Sequence, residues 1–76
     1  MGRLPVVSGR EVLRALLRAG FEEKGWRGGH VVLRHPETRR SVPVPLHGGR
    51  DLPPGTVRTI IRQAGLTVDE FVELLK

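Results

Sequence analysis

The feature that most constrains this chain is a pair of glycines, Gly28 and Gly29, between two short stretches with the residues of β-strands. Glycine adopts the positive φ angles that a tight hairpin turn requires, and it also allows a large ligand to approach the backbone. The pair therefore predicts that a strand over Phe21–Trp26 turns back and pairs with a strand over His30–His35. We expect the rest of the chain to pack around this hairpin.

The second strand of the hairpin divides into two faces. Successive side chains of a strand point to opposite sides, so Val31 and Leu33 share one face while His30, Val32 and Arg34 share the other. The first face suits a core. The second suits an open surface with a histidine at the rim of the sheet, where an imidazole can exchange protons near neutral pH. A hairpin with an ordinary surface histidine is the alternative interpretation.

A third strand is predicted over Arg40–Leu46, after a turn at residues 36–39 in which Pro36 presets the first bend. Pro43 and Pro45 stand two residues apart in this strand, so they lack backbone N–H groups on the same side of it. Such a strand belongs at the edge of a sheet, with the side that lacks donors turned outward.

Helices are predicted on both sides of the strands. Ser8–Glu11 and Thr67–Glu70 have the Ser/Thr-x-x-Glu pattern of a capping box, in which each side chain bonds the other residue's free N–H. The first helix is expected to stop at Gly20, and the second to cover Val57–Ala64 with Thr56 as its cap. The order is helix, three-stranded meander, helix and short C-terminal helix.

This order predicts one α+β domain over residues 1–76, a three-stranded antiparallel sheet with the helices on one face. Hydrophobic residues make up 38% of the chain and charged residues 28%, which is typical of a globular protein. No cysteine is present, so disulfides and thiolate metal sites are excluded. No segment resembles a membrane span or a signal peptide, and the cytoplasm is the expected location.

Positive charge is concentrated in the first two thirds of the chain. Residues 1–50 contain ten Lys or Arg and four Asp or Glu, whereas residues 51–76 contain three and four. This distribution indicates a polyanionic partner, RNA or DNA rather than a membrane. Arg10, Arg14 and Arg18 recur every fourth residue along the first helix. They form either a row of phosphate contacts or an ordinary solvated face.

Several chemistries do not fit the spacing of the reactive residues. His30, His35 and His47, together with Glu37 and Asp51, are not spaced as the ligands of a familiar metal site. Neither a serine nucleophile turn nor a phosphate-binding P-loop is present. Acid–base chemistry by histidine remains, and it suits RNA because RNA carries its own nucleophile, the 2′-hydroxyl. Arg27 or Arg34 could supply positive charge for such a reaction.

Four motifs in the same order resemble the HicA family of small toxins, the mRNA interferases of HicA–HicB toxin–antitoxin pairs. The motifs cover nearly the whole chain, at residues 8–11 with 19–21, at Gly28–Pro36, at Val42–His47 and at Leu52–Leu66. The resemblance implies a fold like that of double-stranded-RNA-binding domains, an endoribonuclease activity on mRNA without a cofactor or metal, and a HicB-like antitoxin as partner. It also implies that His30 is the catalytic histidine. Gly29 here occupies a position where the family usually has a small hydroxyl residue.

The candidate site can be stated residue by residue. His30 is predicted to be catalytic, and the predicted RNA contacts are Arg10, Arg14, Arg18, Arg27, Gly28, Gly29, Arg34 and His47. His47 is a candidate substrate contact or second proton donor, His35 is expected to stabilise a turn, and Trp26 is expected to pack rather than stack on a base. A non-catalytic RNA-binding module of the same fold is the alternative function, and a DNA-binding or structural role is a weaker third.

Overall fold

The structure is a computed structural model that describes residues 3–76. Within them the chain forms three helices and a three-stranded antiparallel sheet, in the α-β-β-β-α order that was predicted, followed by a last helix. None of these helices is long and apolar enough to cross a membrane. The elements are α1 (Gly9–Arg18), β1 (Glu22–Arg27), β2 (His30–Arg34), β3 (Ser41–Pro45), α2 (Pro54–Ala64) and α3 (Val68–Leu75).

The sheet has the order β1-β2-β3, so β2 is central and β3 lies at an edge as its two prolines predicted. Val31 and Leu33 of β2 pair with Val44 and Val42 of β3, and all four side chains are completely buried against the helices. Each such burial contributes roughly 1.5–3 kcal/mol of hydrophobic free energy. The face of β2 that carries His30 is turned away from this core, again as predicted.

Two capping boxes begin α1 and α3. The Ser8 amide donates to Glu11 Oε1 at 2.9 Å, and the Glu11 amide donates to Ser8 Oγ at 3.3 Å. Thr67 and Glu70 exchange the same pair of bonds at 2.8 and 3.0 Å. Both predictions are confirmed, and each helix therefore starts with two of its free backbone amides satisfied.

Some predicted boundaries were wrong. Helix α2 begins at Pro54, preceded by Pro53 without a side-chain cap, so Thr56 lies inside the helix. Proline is favourable at the first helical position because its missing N–H would have no partner there and its φ is already helical. Phe21 precedes β1 and is buried, whereas β1 itself contains no buried residue. Strand β1 therefore extends beyond the helical layer.

The N-terminus of α1 is fitted tightly against the end of β3. A Cβ atom on Gly9 would overlap the Pro45 carbonyl oxygen and lie 2.9 Å from Leu46 Cδ2. Just before the helix, the Leu52 amide donates to the Val7 carbonyl at 2.8 Å. These two contacts hold the beginning of α1 against both ends of the loop that connects β3 to α2.

The Gly9 contact gives a first prediction. Gly9→Ala should lower the free energy of unfolding by about 1–3 kcal/mol, the usual effect of forcing an extra carbon into a packed site. Gly55→Ala is the matched control, because Gly55 also lies in the first turn of a helix but has nothing within 4 Å of an added Cβ. The control should be neutral or stabilising by up to about 1 kcal/mol, since alanine favours a helix. Urea unfolding of the three proteins measures both effects, and equal stability of Gly9→Ala and the parent protein would contradict the close contact.

Candidate active site

His30 begins the central strand on the open face of the sheet. It lies directly across from Arg27 on β1 and from Pro45 on β3. Its side chain is half-buried. Strands on both sides fix its backbone, so the imidazole is presented from a rigid element while remaining accessible to a ligand.

His47 lies beside His30. The two imidazole ring centroids are 6.2 Å apart, and the ring planes are nearly perpendicular at 85°. The Leu46 amide donates to the Gly29 carbonyl at 3.0 Å, which continues the pairing with β2 past the end of β3. The chain then turns through Gly48 and Gly49, whose φ angles of 58° and 85° are those that glycine adopts easily. The pairing therefore brings together two histidines that are 17 positions apart in the sequence.

Gly29 precedes His30 in the chain and lies beside the His47 imidazole. A Cβ atom on this residue would lie 3.7 Å from His47 Cε1, an ordinary van der Waals distance. Gly28, the other glycine of the turn, has a φ of 62° and needs its conformational freedom. Gly29 therefore has room for a small side chain directly beside the His47 ring.

The two sheet arginines of the predicted site stand at different distances from His30. Arg27 is its direct cross-strand partner, and its side chain is exposed. Arg34 lies four residues further along β2 on the same face, about 13 Å away at the rise of a strand. Neither guanidinium forms an ion pair with another of the described residues. Both are thus available to an anion, but Arg34 would reach a different phosphate from the one beside His30.

The row of arginines on α1 lies in the helical layer rather than beside His30. Arg18 Nη1 donates to the Leu74 and Lys76 carbonyls at 2.8 and 2.9 Å, at the C-terminal end of α3. Arg14 lines the same small groove between α1 and α3. Arg10 is exposed in the first turn of α1, next to the contact of Gly9 with β3. The structure therefore places Arg14 and Arg18 between the helices, away from the two histidines, and only Arg10 near the end of β3.

His35 stabilises the turn between β2 and β3, as predicted. Its Nδ1 accepts hydrogen bonds from the Glu37 and Thr38 amides at 3.1 and 3.3 Å. Its ring meets Phe21 edge to face, with centroids 5.1 Å apart. The residue is at the opposite end of β2 from His30, so it takes no part in the histidine pair.

Trp26 does not pack in the core. Its side chain is 60% exposed, and the prediction that it packs was wrong. Trp26 sits on β1 opposite Val31, but the helices that bury Val31 do not extend over β1. Together with Arg27 it lines a shallow groove on the hairpin.

Sequence reasoning missed a polar row on α2 that borders His30. Thr56, Thr59 and Gln63 line a cleft with His30 and the two prolines of β3. The signal that could have found them is their spacing of three and four residues, which places them on one side of a helix. Sequence reasoning also did not predict that His30 and His47 meet, although the antiparallel register of a meander implies it.

No group of three or more histidine, cysteine or acidic residues in the described part of the chain is arranged to hold a metal ion. The two imidazoles can exchange protons with a ligand, and Arg27 can hold an anion beside them on the open face of the sheet.

Comparison with known proteins identifies the family of this chain. The model of the family described as "HicA toxin of bacterial toxin-antitoxin" matches residues 9–66, which include His30, His47 and all of α2. None of the curated proteins matches the sequence. Because the family match covers well over half of the 76 residues, the chain belongs to the HicA toxin family of bacterial toxin–antitoxin systems.

Proposed function

We propose that this toxin is an endoribonuclease that cleaves mRNA in the cytoplasm without a metal ion, with His30 and His47 as its acid–base pair. The observation that carries the proposal is the 6.2 Å separation of the two imidazoles on an open sheet face. Two rings at that spacing can bind opposite oxygens of one phosphodiester. The excess of basic residues in the first two thirds of the chain supports a polyanionic substrate.

The reaction needs only what RNA and these side chains supply. One imidazole accepts the proton of the 2′-hydroxyl, whose oxygen then attacks the adjacent phosphorus. The other imidazole donates a proton to the 5′-oxygen as its bond to phosphorus breaks. The products are a 2′,3′-cyclic phosphate and a 5′-hydroxyl end. Arg27, directly across from His30, supplies positive charge where negative charge grows on the phosphoryl oxygens.

RNA binding extends beyond the reacting phosphate in this proposal. Arg34 binds a phosphate further along the open face, and the amides of Gly28 and Gly29, which directly precede His30, are further candidates for a phosphate contact. Arg10 lies at the end of α1 nearest to β3, so it is the α1 arginine best placed to assist. Arg14 and Arg18 remain candidates for RNA contacts on the helical side, where Arg18 already binds the end of α3.

Removing either imidazole tests the acid–base pair. His30→Ala and His47→Ala should each lower the rate of RNA cleavage by roughly 10²–10⁴-fold, the usual contribution of one proton-transfer group. The double variant should be little slower than the worse single variant, because the two groups act in one step. Single-turnover cleavage of a defined RNA measures these rates. Replacing the scissile ribose with a 2′-deoxy sugar should abolish cleavage by the parent protein.

His35→Asn is the matched control for these variants. The asparagine oxygen can replace Nδ1 as the acceptor for the Glu37 and Thr38 amides, so the turn should survive. Cleavage per folded molecule should stay near the parent rate, because His35 lies at the far end of β2. A folded His30→Ala protein that cleaves at the parent rate would remove His30 from the mechanism.

Gly29 provides a second test and bears on the alternative function. A small hydroxyl residue is usual at this position in the family, so its loss here would favour a non-catalytic RNA-binding module. Gly29→Ser should raise kcat/KM about 2- to 10-fold if its hydroxyl adds one hydrogen bond of about 0.5–1.5 kcal/mol to the bound phosphate. Gly29→Ala is the control that adds the Cβ without the hydroxyl. Both fit the space beside His47. A serine variant no faster than the alanine variant would show that the hydroxyl is not needed.

Membership of the family implies an antitoxin partner, and we propose a HicB-like protein that covers the face carrying His30. An open, basic surface suits an acidic partner, and a shared surface would inhibit by simple competition. Hydrogen exchange should show protection by the antitoxin at residues 26–29 and 47–50, with α3 unaffected. An RNA that cannot be cleaved should displace the antitoxin. Protection confined to α3 would exclude this docking mode.

A further inference from the structure

A cleft opens directly beside His30, between the open face of β3 and the side of α2. It has a volume of about 250 Å³ and is lined by His30, Pro43, Pro45, Thr59, Ile60 and Gln63, with Thr56 at one end. The two prolines that mark β3 as an edge strand point their rings into this cleft. None of the lining residues except His30 carries an ionisable group, although arginines are common elsewhere on the molecule.

We propose that this cleft binds the nucleobase next to the scissile phosphate of single-stranded RNA, and that Gln63 reads the edge of that base. The inference rests on the proposed ribonuclease function and specifies its substrate. A phosphate would find no Lys or Arg in the cleft, whereas a base has no charge to desolvate there and can pair its polar edge with Gln63. Specific recognition of RNA generally uses unpaired bases that are stacked on side chains and hydrogen-bonded along their edges.

The floor of the cleft suits a flat ring. Pro45 is the direct cross-strand partner of His30, and Pro43 is two residues further along on the same face. The two rings therefore extend away from the histidine pair over about 7 Å, at the rise of a strand. Ile60 of α2 completes an apolar wall. A base attached to a nucleotide whose phosphate lies at His30 would rest on the prolines.

The rim of the cleft supplies the groups that read a base. Thr56, Thr59 and Gln63 lie on one side of α2. The Thr59 hydroxyl donates to the Gly55 carbonyl at 3.0 Å, so its oxygen remains available as an acceptor. The Gln63 side chain makes no hydrogen bond to any of the described residues, and its amide offers donors and an acceptor side by side. That pattern matches the adjacent donor and acceptor on the edge of a base.

The backbone that carries Gln63 is also held in place. Arg40 Nη1 donates to the Gln63 backbone carbonyl at 3.3 Å, which joins this end of α2 to the turn between β2 and β3. A Cβ on Gly65 would lie 2.7 Å from Arg40 Nε, so the Arg40 side chain lies closely against the end of the helix. The Gln63 side chain is therefore carried by a helix, α2, that is fixed to the same sheet as His30. Such rigidity favours discrimination between bases.

Cleavage of a randomised RNA pool tests the inference through the substrate preference. The parent protein should prefer particular bases at a position adjacent to the cut, and Gln63→Ala should reduce that preference by about 5- to 100-fold, the discrimination from one well-made pair of hydrogen bonds. Cleavage of the preferred sequence should slow by the same factor, while cleavage of disfavoured sequences should change little. Glu37→Ala, an exposed change outside the lining of the cleft, is the control and should keep the parent preference.

A binding measurement separates this inference from the ribonuclease proposal. Fluorescence anisotropy with 2′-O-methyl oligomers of A, C or U, which cannot be cleaved, should give affinities that differ among the bases for the parent protein. Gln63→Ala should make them more nearly equal. Equal affinities for the parent, with an unchanged cleavage profile for Gln63→Ala, would overturn the inference even if the protein cleaves RNA. Base-dependent binding that Gln63→Ala removes, in a protein that cleaves no RNA, would refute the ribonuclease and support the cleft.

Discussion

The pairing of β2 with β3 determines where every group of the candidate site lies. Val31 and Leu33 are opposite Val44 and Val42 in this register, and their complete burial makes any other register expensive. A slip of one residue would send the core valines into solvent and His30 into the core. The same register sets Pro45 across from His30. The site is thus positioned by the hydrophobic face of the sheet, although no site residue belongs to that face.

Two features outside the strands support this register. At the far end of the sheet, His35 accepts the amides of the connecting turn, and Arg39 adopts a φ of 66° that a non-glycine residue rarely takes. At the near end, the absence of a side chain on Gly9 lets α1 press on the end of β3. The loop that begins with His47 is therefore held at both of its ends, at Leu46 by Gly29 and at Leu52 by Val7.

Local patterns in the sequence predicted the local structure well. The alternation around Val31 placed His30 on the open face, the paired prolines placed β3 at an edge, and the capping boxes placed the starts of α1 and α3. These succeed because each depends on neighbouring residues. The approach of His30 to His47 depends on the register between β2 and β3. The residues next to either histidine do not specify that register. Arg18 binds the end of α3, a partner 56 residues away that no local pattern reveals.

The remaining differences concern how far the helical layer extends. Trp26 was expected to pack because large aromatic residues usually do, but the helices stop short of β1. Likewise, the side of α2 that borders the cleft could not be distinguished from a solvated face until the position of the helix beside β3 was known. Sequence periodicity identifies the faces of an element, whereas the extent of its neighbours decides which faces are covered.

The exposure of β1 has an evolutionary consequence. Small domains have little stability to spare, and most substitutions in a core reduce it. Strand β1 has no buried side chain, so changes along it, other than at Gly25 with its φ of 156°, should alter stability by less than about 0.5 kcal/mol each. Yet Arg27 on this strand adjoins His30. If the antitoxin covers this face as proposed, the toxin can diversify the surface beside His30, and so change which antitoxin recognises it, without first acquiring compensating mutations in its core.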